Sequence, residues 1–152
     1  MFQGSVVSIH IAPEAEETMV SVREIKAMPG LGLEGDRYFK QAGTFSKPQP
    51  DRELTLIEIE AIEALKQELG IEFAQADSRR NIVTRGVPLN HLVGREFTIG
   101  EIRVRGIKLC EPCAHLAKLT RQVVLPGLIH RGGLRAQILT EGVMRPGDVI
   151  SD

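Results

Sequence analysis

Hydrophobic and polar positions along this chain alternate in short runs far more often than they recur at helical spacing. Ser5-Val6-Val7-Ser8-Ile9-His10-Ile11 is rich in β-branched residues and predicts a strand, on which His10 reads as a surface residue. The acidic stretch Pro13 to Glu17 predicts a turn, and Thr18 to Val22 a partner strand. Leu54-Thr55-Leu56-Ile57 is a short apolar strand. From Glu58 to Leu69 the period changes: Ile62, Leu65 and Leu69 recur at helical spacing, and Gly70 supplies a stop. This is the best helix in the chain, with its carboxylates on a solvated face. Ser78 to Gly86 predicts a strand, Pro88 to Gly94 a turn or a single helical turn, and Arg95 to Ile99 with Ile102 to Leu109 a hairpin. Ala136 to Leu139 is strand-like, and Arg145 to Ile150 closes the series.

Many short strands with one long helix and one or two short ones predict a mostly β, α+β fold. The expected architecture is a closed or nearly closed barrel with helical decorations, as a single domain over 1–152. A chain of 152 residues buries a core without disulfide support, and 42% hydrophobic with 26% charged residues is a globular composition. A net charge of −1 argues against duplex DNA or an anionic membrane surface as partner. There is no apolar run near 18 residues and no basic, apolar start of a secretory signal, so a cytoplasmic setting with reduced thiols is expected.

Candidate chemistry concentrates in five places. Met28 to Tyr38 carries Gly30, Gly32 and Gly35, spacing that implies positive φ or close backbone approach; it lacks the Lys-Ser/Thr of a P-loop, and a structural loop and a ligand-lining loop both remain open. Gln41 to Asp51 reads as a surface loop, beside a site or merely connecting. The run Ser78 to Gly86 carries Arg79, Arg80 and Arg85 with Asn81 and Thr84. Guanidinium groups bind oxo-anions bidentately while Asn81 and Thr84 can orient a polar ligand; a water-facing sheet edge is the alternative. His130-Arg131-Gly132-Gly133 can form an anion-binding turn, with Arg135 close behind.

The fifth place is Cys110-Glu111-Pro112-Cys113-Ala114-His115-Leu116, between a strand and a helix-like run ending near Thr120. A thiol in the first turn of a helix faces unpaired N–H groups, which lowers its pKa, and Pro112 suits a first helical position. Cys113 is thus the stronger nucleophile or soft metal ligand, with Cys110 in support. A thioredoxin-like redox pair would need a βαβ setting that the periodicity does not supply. A zinc site would draw on Cys110, Cys113, His115 and His130, but residues two apart on a helix diverge by roughly 200°.

Gly32 to Arg37, Arg80 to Gly86, the Cys-Glu-Pro-Cys segment and the closing Arg-Pro-Gly-Asp-Val-Ile together resemble the MOSC domain family, named after the C-terminal domain of molybdenum cofactor sulfurase. The resemblance spans nearly the whole chain. It implies a mostly β barrel that binds the molybdenum cofactor (molybdopterin). Arg79 and Asn81 would hold its anionic and pterin parts, with Asp36, Thr84, Arg85, His130, Arg131 and Arg135 in the binding set. Cys113, backed by Cys110, would bind molybdenum or carry sulfur. The implied activity is reduction of N-hydroxylated purines or related small molecules; the alternative is a sulfur or cofactor carrier that uses a cysteine persulfide. No flavin, haem or iron–sulfur motif is visible, so an external redox partner or sulfur donor protein is expected. Counterparts of the extra N-terminal domain of the similar mitochondrial amidoxime reductases and of the sulfurases' desulfurase domain are not found in these 152 residues.

Overall fold

A computed structural model describes residues 2–14, 18–36, 39, 50–70, 72–110 and 131–152. Strands β1 (Gln3–Ile11), β2 (Val20–Val22), β3 (Ile25–Met28) and β4 (Gly32–Leu33) are followed by β5 (Leu54–Glu58), helix α1 (Ile59–Leu69) and β6 (Ile82–Arg85). Then come β7 (Glu96–Ile99), β8 (Ile102–Leu109), β9 (Leu134–Ile138), β10 (Gly142–Met144) and β11 (Val149–Ser151). One sheet runs in the order β11-β7-β8-β9-β5-β6-β1-β2, and β11 also pairs with β1, which closes seven strands into a barrel. β2 continues the sheet beyond the barrel, while β10, β3 and β4 form a second, three-stranded sheet.

Alternation decides which side chains fill the barrel. Ile9 of β1, Leu54 and Leu56 of β5, Ile82 of β6, Phe97 and Ile99 of β7, Val104 of β8 and Leu134 of β9 share one buried cluster. Residues one step out of phase point away from it. Ile57 and Val83 do so, and α1 covers them with Ile59, Ala61, Ile62 and Leu65. Leu69, expected on that stripe, is instead 48% exposed. Gly70 ends the helix in the left-handed conformation at φ 66°, its N–H donating to Lys66 O.

Six of the seven barrel pairings are antiparallel; β5 and β6 run parallel, joined through α1. The sequence pattern supplies no βαβ setting. The reason for the difference is visible in β5, whose residues Leu54 to Ile57 are all buried because barrel interior and helix cover both faces. Such a strand shows no alternation.

Two of the close backbone approaches that depend on glycine lie along β8 and at the entry to β9. A Cβ on Gly106 would lie 2.1 Å from Leu92 O, and one on Gly133, at φ 116°, would lie 2.0 Å from Leu56 O. Gly133 therefore lets the chain enter β9 tight against β5. Replacing Gly133 by Ala adds a clash to a strained φ, and the expected outcome in chemical denaturation is a loss of roughly 3 kcal/mol or more.

Candidate functional site

The basic run does not form a strand from its start. β6 begins at Ile82; before it, Gln75–Ser78 makes a 3-10 turn and Arg79 caps that turn at φ 59°, ψ 27°. Arg79 is the one non-glycine residue with positive φ among the described residues. The strand expected over Ser78 to Gly86 is therefore shorter than its pattern suggests, and Arg79 and Asn81 do not share a strand face, because a left-handed residue breaks the alternation between them. Ser78 Oγ donates to Gln75 O at 2.8 Å, and Arg79 N to Ala76 O at 3.1 Å, which fixes the turn.

Asn81 is buried and its amide is built into the sheet. Its Oδ1 accepts from Thr55 N and Thr55 Oγ1, both at 3.1 Å, and its Nδ2 donates to His10 O at 3.0 Å. Asn81 N donates to Thr55 Oγ1 and His10 N to Asn81 O. The register then carries the same outward-facing level across the neighbouring strands: Thr55 pairs with Arg135, Arg135 with Lys108, and His10 with Ser21. Ser21, His10, Asn81, Thr55, Arg135 and Lys108 thus form one polar row over five strands and the residue that leads into β6, next to the apolar footprint of α1.

At its β8–β9 end the row meets the thiol segment. Cys110, 3% exposed, donates its N–H to Gly133 O at 2.7 Å, and its carbonyl accepts from Arg80 Nη2 at 3.1 Å. Arg80 Nε donates to Gly132 O at 2.8 Å. The buried Arg80 guanidinium therefore ties the end of β8 to the start of β9, next to the strained Arg79. Asp51 organises the cations beside it: Lys108 Nζ lies 3.0 Å from Asp51 Oδ2, and Arg135 Nη1 donates to Asp51 O. The hydrogen bond from Lys108 holds the Asp51 carboxyl below its ordinary pKa.

Other residues of the expected set lie apart. Thr84 is an odd number of residues from Asn81, so it faces inward, fully buried, donating to Ile57 O at 3.3 Å. Arg85 is exposed and pairs with Glu63 of α1 at 3.3 Å. Arg131 pairs with Glu68 at the far end of α1, at 2.6 Å. Asp36 is buried and accepts from Ala12 N at 2.9 Å, pinning the chain just beyond β1. Cys113, His115, His130 and the helix-like run ending near Thr120 lie outside the described residues. Among the described residues no group of three or more His, Cys, Asp and Glu is placed to hold a metal ion.

Sequence reasoning missed Lys108, His10 and Thr55 as members of the row, and it missed the burial of Glu53 outside it. His10, expected at the surface, is 3% exposed, because β2 and the Gln75–Ser78 turn close over it. Burial pushes its pKa below the ordinary imidazole value. Glu53 is buried too, with Oε1 accepting from Gly30 N and Ile138 N at 3.2 Å each; burial pushes its carboxyl up. Thr55 sits in an apolar run, where its hydroxyl was the available signal of a polar neighbour.

The MOSC domain family pattern matches residues 8–151. Among solved structures, the YuaD protein from Bacillus subtilis is similar at 17% identity and a TM-score of 0.80, covering 100% of both chains. YiiM from Geobacillus stearothermophilus is similar at 20% identity and a TM-score of 0.71, over 97% of this chain and 74% of its own. YiiM from Escherichia coli is similar at 19% identity and a TM-score of 0.63, over 99% and 69%. At these identities the likeness shows the fold. A search of curated proteins gives no match.

Two outcomes follow from this geometry. Asn81→Ala strands the Thr55 N–H and the His10 carbonyl, so denaturation should show a loss of about 2–5 kcal/mol, whereas Arg79→Ala should stay within about 1 kcal/mol of the parent. The imidazole of His10 titrates lower when folded than near 6.5 unfolded, so its contribution is present above pH 6.5 and is lost progressively as the pH falls below that value through the lower folded one. The melting-temperature gap between the parent and His10→Gln should therefore narrow from pH 7.5 to pH 5.5, roughly one unit either side of that midpoint.

Proposed function

This chain belongs to the MOSC domain family, which is associated with molybdenum cofactor binding, and on that premise we propose that it binds this cofactor where β8 ends and β9 begins. The observation that carries the reading is the gathering of Arg80, Arg135 and Lys108 around Cys110, where the described part of the thiol segment leaves β8, with Arg79 next to Arg80 in the chain. The donor set fits the group chemically. A phosphate-bearing pterin calls for guanidinium groups and ammonium groups, and a dithiolene-bound metal is matched by a soft thiolate. Arg79, Arg135 and Lys108 are the residues that would hold its anionic part, and Arg80 the one that holds the backbone around it. Asn81 serves by fixing the row, since its amide is taken up by Thr55 and His10.

When bound, the cofactor supplies the redox-active metal. Within this reading Cys113 provides the thiolate toward that metal. Cys110, buried with both backbone groups hydrogen-bonded, is scaffold. The activity we favour is reduction of N-hydroxylated purines or related compounds, with electrons delivered by a partner protein. A persulfide carrier would use the same thiol without turnover.

The test is protein made in a cofactor-producing host. Stoichiometric molybdenum with pterin fluorescence supports the proposal, and zinc without pterin would sink it. Arg79→Ala should retain about tenfold less cofactor or below, the scale of one charge-assisted contact. Cys113→Ser should lose reductase turnover and the rapid, low-pH alkylation of the apoprotein, and Cys110→Ser should keep most of both. Bound cofactor with no turnover from any reduced donor would favour the carrier.

A further inference from the structure

We propose that Ser21, His10, Ser8 and Gln75 form a directional hydrogen-bond chain that holds Arg79 in its left-handed conformation, which makes His10 a positioning residue for the anion site. The proposal rests on the reading of Arg79 as an anion-holding residue.

The direction follows from counting protons. Ser8 Oγ donates to Gln75 Oε1. A hydroxyl has one proton, so toward His10 Nε2, at 2.8 Å, Ser8 Oγ is the acceptor and Nε2 carries the hydrogen. In the neutral ring Nδ1 is then an acceptor, and Ser21 Oγ, 3.2 Å away, donates to it. Ser21 therefore donates to His10, His10 to Ser8 and Ser8 to Gln75, across β2, β1 and the Gln75–Ser78 turn. One tautomer satisfies every group.

Gln75 is the first residue of that turn, and Arg79 is its cap. The side chain of Gln75 is held by Ser8 and its carbonyl by Ser78 Oγ. Arg79 N reaches Ala76 O, and Arg80 N donates to Ser78 Oγ at 3.3 Å. A left-handed residue other than glycine persists only where its surroundings over-determine it, and such residues cluster at functional sites. Here the surroundings are supplied from β1, 67 residues away in sequence. Ser8 and His10 share the outer face of β1 with Val7, which packs in the apolar cluster under α1. Apolar side chains would fill that space as well; what the polar chain adds is a fixed position for Gln75 and, through it, for the arginine.

NMR on the full chain tests this, with the Arg79 Cα and Cβ shifts reporting the sign of φ and inorganic phosphate as the anion probe. Ser8→Ala, Gln75→Ala and His10→Leu should move the Arg79 shifts toward ordinary negative-φ values and weaken phosphate binding about threefold to tenfold, the scale of one hydrogen bond. His10→Gln, whose amide nitrogen also donates to Ser8, should retain both. In an Arg79→Ala background the same substitutions should have no further effect on phosphate, which a general loss of stability would not reproduce. Unchanged Arg79 shifts in folded Ser8→Ala and Gln75→Ala would overturn the proposal. Shifts that move while Arg79→Ala leaves phosphate affinity unaltered would support the positioning and overturn the anion role of Arg79 instead.

Discussion

Asn81 places a side-chain amide at the one point of the barrel where two neighbouring strands run parallel. Parallel strands need a long crossover, here α1 and the Gln75–Ser78 turn, so the chain must arrive at β6 in register after a long excursion. The amide supplies that register. Its oxygen takes the Thr55 N–H just ahead of the parallel ladder, and its nitrogen takes the last part of β1. Buried polar groups are costly when unpaired, so the match among Asn81, Thr55 and His10 specifies one alignment of β5, β6 and β1 rather than merely adding stability.

That alignment has a chemical consequence. With Thr55 level with Asn81, the pairing of β5 with β9 brings Arg135 to the same height, and the pairing of β9 with β8 brings Lys108. Cations that are far apart in sequence become neighbours, two residues along the chain from the Cys110 carbonyl that Arg80 holds. The same pairing delivers Gly133 against Leu56 and Cys110 against Gly133, so the thiol segment leaves the barrel at the cationic corner. The site is thus a property of register. A slip of one residue would turn the whole row into the barrel interior.

Much of the barrel was legible in the sequence. Ser5 to Ile11, Ile102 to Leu109 and the helix ending at Gly70 fall where their patterns place them, because each makes its own case locally: alternation on a half-buried strand, helical spacing, a left-handed stop. The single parallel pairing was not legible, since a strand covered on both faces loses its period. The chemistry of the basic run was visible as composition but not as geometry. Nothing in Ser-Arg-Arg-Asn says that the first arginine is left-handed, the second buried on two carbonyls and the asparagine spent within the sheet; those roles are set by His10, Thr55, Cys110 and Gly132. His10 was misjudged for the same reason, because what buries it comes from other segments.

The central claim is where the cofactor lies: on the outer face, at the β8–β9 end of the polar row, within reach of Arg79 and Arg135. Anomalous diffraction at the molybdenum edge from crystals of cofactor-loaded protein locates the metal without assuming its ligands. The account predicts a single peak beside the Cys110 end of β8, on the side of Arg79 and Arg135. A peak inside the barrel, at the Arg85–Glu63 side of α1 or near the Gly30–Glu53 contact would contradict it.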